Sequence, residues 1–201
     1  MSKKFVIPAS VSKKADEDCI KAIQPLAERN ITLEFERIKR EMIQEFLNHP
    51  VTVEISTGVD SPNYSGTLSH GNLYSFIGFY ADKPDPTEEI LDLLEGSLIR
   101  FYTRKRGSFI ASITIPSAKQ IFAATKMPWA EGRSWAKGIE SGIAGFGYYL
   151  RLDDVGNSGG GVQNKTQVSS GKFQNTTYIS SLINKYIKVF SSIQSVKLII
   201  K

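Results

Sequence analysis

The chain has one cysteine and two histidines among its 201 residues. A single thiol, Cys19, excludes an internal disulfide framework. With no second thiol or histidine cluster beside it, a structural zinc site is not expected either. His49 and His70 stand apart from each other and from any carboxylate placed to complete a ligand set. No apolar run approaches the roughly 20 residues that a membrane-spanning helix needs. Near the N-terminus the apolar run Phe5 to Ile7 ends at Pro8, too short for a signal-peptide core. These absences lead us to expect a protein kept in a reducing cytosol, without a membrane partner. The sequons at Asn63, Asn164 and Asn175 are then chance matches.

Signatures of catalysis are missing as well. Residues 156–166, GNSGGGVQNKT, end in Lys-Thr after several glycines, as a phosphate loop does. Asn164 nevertheless stands where the glycine before the lysine must let backbone N–H groups curl round a phosphate. Gly171-Lys172 is followed by Phe173 instead of a magnesium-binding Ser or Thr. There is no Gly-x-Ser-x-Gly elbow, and no histidine is placed to serve a serine nucleophile. Glu131, Glu140, Asp153 and Asp154 offer carboxylates, but their spacing does not distinguish them from surface acids or helix-end charges. The expectation is a protein that is not an enzyme and holds no cofactor or metal.

What is present is a charge asymmetry and a strong helical pattern. The net charge of +5 resides in residues 151–201, where seven basic residues face Asp153 and Asp154, so the first 150 residues sum to zero. A basic region of this kind can meet nucleic acid, an acidic partner or solvent. Residues 1–11 read as an extended arm because Pro8 withholds a donor and disfavours helix before it. Ser12 is placed to cap a helix starting just after it. Ile20, Ile23, Ala27, Ile31, Phe35, Ile38, Met42 and Phe46 recur at three- and four-residue steps, the stripe of an amphipathic helix. Pro25 should break or kink it, leaving a firm helix over 27–48. His49 at its end suits the negative pole of the helix dipole.

Val51-Thr-Val-Glu-Ile55 alternates as a half-buried strand does, and Leu73 to Phe79 reads as a second strand after a glycine-rich loop. Pro86-Thr87-Glu88-Glu89 opens a helix to about Glu95, its acids at the positive end. Residues 97–103 and 108–115 form a β-hairpin signal with a basic tip, Arg104-Lys105-Arg106-Gly107. Short helices are expected over 117–125 and 176–190, and a closing strand over 196–200. The domain reading is an N-terminal arm, 1–11, and one α+β domain, 12–201. That domain gathers a long N-terminal amphipathic helix and further helices around a small, mostly antiparallel sheet. It includes a long Gly-rich loop at 151–172.

Residues 127–150, MPWAEGRSWAKGIESGIAGFGYYL, pack two Trp, two Tyr, one Phe and five Gly into 24 positions. Trp135, Ile139, Ile143, Phe146 and Leu150 fall on one face of a helix starting near Arg133. Gly138, Gly142 and Gly145 lie beside that face. Each costs about 1 kcal/mol against alanine in a helix interior, so a reason is needed, and close approach of another backbone supplies one. Trp129, Trp135, Gly138, Gly142, Gly145 and Phe146 are therefore the expected subunit contacts. Arg104, Lys105, Arg106, Lys165 and Lys172 are the candidates for phosphate or acidic-partner contact.

The long helix, the turn Ser65-Gly66-Thr67-Leu68 and the segment Leu73 to Phe79 together resemble the opening of tail-completion and neck proteins of tailed double-stranded DNA bacteriophages. Met-Pro-Trp, Gly-Arg-Ser-Trp and Gly-Ile-Glu-Ser-Gly-Ile, between Met127 and Ile143, also look like segments of structural proteins of large tailed phages. The resemblance covers residues 27–150. The turn here reads Ser-Gly-Thr-Leu where the family has Thr-Gly-x-Leu, and the chain is longer than the smaller members. What the resemblance implies is a non-enzymatic ring subunit at the head–tail junction, a hexamer assembled in the host cytoplasm and carried in the virion. Its partners would be copies of itself, neighbouring connector and tail proteins, and non-specifically the packaged DNA. The alternatives are a tail terminator or other tail protein, or a DNA-binding accessory protein using the basic tip and C-terminal lysines.

Overall fold

The structure is a computed structural model that describes residues 9–68, 70–103, 109–128, 130–141, 176–193 and 196–200. Among them are seven helices and a three-stranded sheet. The chain opens with α1 (Ala9–Leu47), a helix of 39 residues and therefore about 58 Å long. It continues through Pro25 without a break. Residues 9–11 of the expected arm belong to this helix, and Ser12 lies inside it. Residues 1–8 lie outside the described residues.

The C-terminal part of α1 enters the core. Phe35, Ile38, Met42 and Phe46, at steps of three, four and four, are buried on one face. Against them packs α7 (Ile179–Ser191), whose Ile183, Tyr186 and Phe190 repeat the same spacing. The rings of Phe35 and Phe190 lie 5.7 Å apart. Each such side chain removed from water contributes about 1.5–3 kcal/mol, so this pairing is the backbone of the core. Glu45 fastens its edge by accepting from Lys185 Nζ and from Tyr186 Oη at 2.8 Å.

Two expected strands are helices. Residues 51–55 belong to α2 (Pro50–Thr57), with Pro50 at its first turn and His49 as its N-cap. The alternation misleads because Thr52 and Glu54 are as buried as Val51 and Ile55. Residues 73–77 form α3 (Leu73–Ile77), capped by Asn72 and ended by Gly78 in the left-handed conformation. A non-glycine residue would be strained at that φ of 83°. The segment that carried part of the resemblance as a strand is thus helical.

The remaining elements keep the expected order. Next comes α4 (Glu88–Glu95), with its acids in the first turn, then β1 (Leu98–Thr103) and β2 (Phe109–Ile115). Ser117 and Gln120 make a reciprocal capping box for α5 (Ala118–Ala124). Two more elements are α6 (Trp135–Ser141) and, after α7, β3 (Val196–Ile200). The hairpin register pairs Leu98 with Thr114 and Thr103 with Phe109. On its other side β2 pairs with β3 in parallel, Ala111 facing Val196. The sheet is therefore mixed, one antiparallel and one parallel pair, instead of mostly antiparallel. Ala111, Ile113 and Ile115 of the central strand are buried.

Candidate assembly surface

Among the described side chains of α1, none before Phe35 is buried. Ile23 is 55% exposed, Leu26 61% and Leu33 60%. The expected single stripe therefore divides: Phe35 to Phe46 belongs to the body, while Ile23 does not. Leu26 and Leu33, three residues after Ile23 and after Asn30, share its outward side. Apolar side chains this exposed and this regularly spaced on one helix are surface that a partner can bury. The stripe stops at Arg37, which bonds to Glu34 and Glu41 on its own helix. That guanidinium holds the Glu34 carboxyl below its ordinary value of 4.5.

The polar groups that might suggest chemistry are instead engaged in holding the fold. Glu54, fully buried, accepts from Leu73 N–H at 2.6 Å and Ser65 N–H at 2.8 Å, tying α2 to the glycine-rich loop and to the start of α3. Asn72 caps α3 through Ser75 N–H and donates from Nδ2 to the carbonyls of Val59 and Ser61. Thr52 Oγ1 and Tyr178 Oη lie 2.8 Å apart in the core, and burial pushes the Tyr178 phenol well up. Lys39 Nζ reaches the carbonyls of Glu95 and Ser97, at and just past the end of α4, where a cation suits the helix dipole.

His49 departs from expectation. Its Nδ1 accepts from Val51 N–H at 3.3 Å, which needs an unprotonated nitrogen. Its ring packs 4.8 Å from that of Tyr178, and burial lowers its pKa from the ordinary 6.5. It acts as a neutral cap for α2 and not as a positive charge for α1. Of the carboxylates considered for catalysis, Glu140 is taken up by Ser180, accepting from both its N–H and its hydroxyl, and so caps α7. Glu131 lies exposed in a turn, and Asp153 and Asp154 lie outside the described residues. A shallow groove of about 510 Å³ runs along α7 past Glu140, Asn184, Lys185 and Lys188, its carboxylate already satisfied and Lys185 paired with Glu45. Among the described residues no group of three His, Cys, Asp or Glu side chains could hold a metal ion. No helix among them is long and apolar enough to cross a membrane.

Of the expected contact residues, Trp135 is placed inside the chain's own core, 1% exposed. It packs edge-on to Phe79 at 5.7 Å and beside Tyr178 at 6.3 Å. Its position is set by the backbone bond from its N–H to Thr125 C=O and by the Lys126–Ser134 bridge. That ring has no area left for a neighbouring subunit. Gly138 is half-buried within α6. Trp129, Gly142, Gly145 and Phe146 lie outside the described residues, as do Arg104, Lys105, Arg106, Lys165 and Lys172 and the loop at 151–172. Comparison of the chain with protein-family profiles, with curated proteins and with solved structures finds no match.

Proposed function

We propose that this chain is a structural protein without catalytic activity that assembles with copies of itself, and that it serves as a ring-forming subunit at the head–tail junction of a tailed double-stranded DNA bacteriophage. The observation that carries the assembly reading is the outward face of α1, where Ile23, Leu26 and Leu33 remain more than half exposed. A monomer gains nothing from keeping such a face in water, and an assembled subunit gains its burial. Placement in the virion is supported by the segments between Met127 and Ile143 that look like those of phage structural proteins.

Two experiments on phage particles test the placement. Peptides of this chain are expected in purified virions, at several copies per particle. Particles grown without the chain are expected to accumulate as separated filled heads and tails. Normally joined, infectious particles made in its absence would refute the junction role.

A further inference from the structure

We propose that the outer face of α1 is the seam of a parallel, in-register, two-stranded coiled coil with a second copy of this chain. The inference rests on the self-assembly reading and names its partner and geometry. Cys19, Ile23, Leu26, Asn30 and Leu33 succeed one another at steps of four, three, four and three, and all five are exposed. This is the alternation that keeps a seam facing a partner helix. Successive residues turn by about 100°, so the seam lies roughly 140° round the helix from the face carrying Phe35, Ile38 and Met42. The body and the partner therefore occupy different faces of α1, and both can be engaged at once.

The residue types fix the number and direction of the strands. Ile23 and Asn30 occupy the a-type positions; Cys19, Leu26 and Leu33 occupy the d-type positions. A β-branched residue at a with leucine at d favours two strands, and one asparagine at an a position specifies register and strand number. In a parallel in-register pair the two Asn30 side chains meet and satisfy each other. Antiparallel pairing sets a positions against d positions, so Asn30 would face a leucine or Cys19 of the partner helix and bury its amide unpaired, which is costly. Charge agrees: Arg29 and Glu34 occupy flanking g and e positions, so each Arg29 faces the partner's Glu34 in the parallel arrangement. Pro25 falls at an outer c position, off the seam.

The seam spans about two heptads, short of the three to four that sustain a free-standing coiled coil, so it pairs subunits in the context of the whole chain. A six-membered assembly would then be built from three such pairs.

Cys19 provides the test, because it is the sole cysteine and any interchain disulfide must join Cys19 to Cys19. The full-length protein is treated with the thiol oxidant diamide at several concentrations and run on a non-reducing gel beside Leu26→Glu/Leu33→Glu. Both substituted positions are exposed, so the variant keeps the core. The proposal expects a disulfide-linked dimer whose formation slows by roughly tenfold or more in the double variant, since that variant removes the buried leucines that hold the pair. Equal rates in the two proteins, or no linked dimer at any concentration, would overturn it. Light scattering on the same samples separates the two readings. An oligomer whose mass the double variant leaves unchanged refutes the seam and spares self-assembly, whereas a monomer throughout refutes both.

Discussion

Replacing Glu54 should be the most damaging conservative change in the described fold. Its two oxygens accept from Leu73 N–H, which is buried, and from Ser65 N–H, which is half-buried. Each such hydrogen bond contributes about 1 kcal/mol, and a buried N–H left without an acceptor costs roughly 1–3 kcal/mol. Glu54→Gln keeps the shape and one acceptor but turns an NH₂ group toward the other N–H, so about 2–3 kcal/mol is lost. Glu54→Ala loses both acceptors and leaves a cavity, and should cost about 4 kcal/mol. For a chain of this length each kcal/mol lowers Tm by about 2–4 °C, so the Gln variant should melt roughly 5–10 °C early. Circular dichroism measures the melt, and hydrogen exchange should show protection lost first at Leu73 and across the loop at 58–72. A Gln variant within about 2 °C of the parent would refute the claim that this carboxylate secures the loop and α3.

Other changes test separate joints. Tyr178→Phe deletes one partner of a buried hydroxyl pair and should lower stability by about 1–2 kcal/mol in urea unfolding, with an unchanged m value. Ser112 Oγ is buried with no hydrogen-bond partner among the described residues, so Ser112→Ala should be neutral or raise stability by up to about 1 kcal/mol, and a clear loss would contradict that environment. Because burial lowers the His49 pKa below its ordinary 6.5, the unfolded chain binds more protons than the folded one in that range. The His49 contribution is therefore complete above pH 6.5 and lost as pH falls through the folded value. His49→Asn, which keeps a capping oxygen, should flatten the stability profile just below pH 6.5. The Glu45 carboxyl, lowered chiefly by its bond to Lys185, should contribute a second loss that begins only below pH 4.5.

What a period can encode decides how much of this is legible in the sequence. The hairpin, the helices over 88–95, 118–124 and 179–191, and the body face of α1 all carry their signal in apolar spacing. Ile23 is misassigned by spacing alone because steps of three and four connect it equally well to Ala27 and to Leu26. Only the place where the body ends decides between them. Thr52 and Glu54 hide α2, since a buried polar residue with its own partners looks, in sequence, like one that faces water. At five residues α3 is too short for a period to show; its real signature is Asn72 at the start and Gly78 at the end. Trp135 is legible as a ring that needs cover, but the sequence pattern assigns that cover to a neighbouring subunit where the chain's own core supplies it. Its neighbours are not legible, because Phe79 and Tyr178 reach it from distant parts of the chain.

The central claim, that this chain works by assembling with itself, is tested most directly by sedimentation velocity of the full-length protein over a wide concentration range at two salt levels. The account predicts a species whose mass is an even multiple of the 22.3 kDa chain, growing with concentration and persisting at high salt because apolar burial drives it. A single species of 22.3 kDa at every concentration would contradict it.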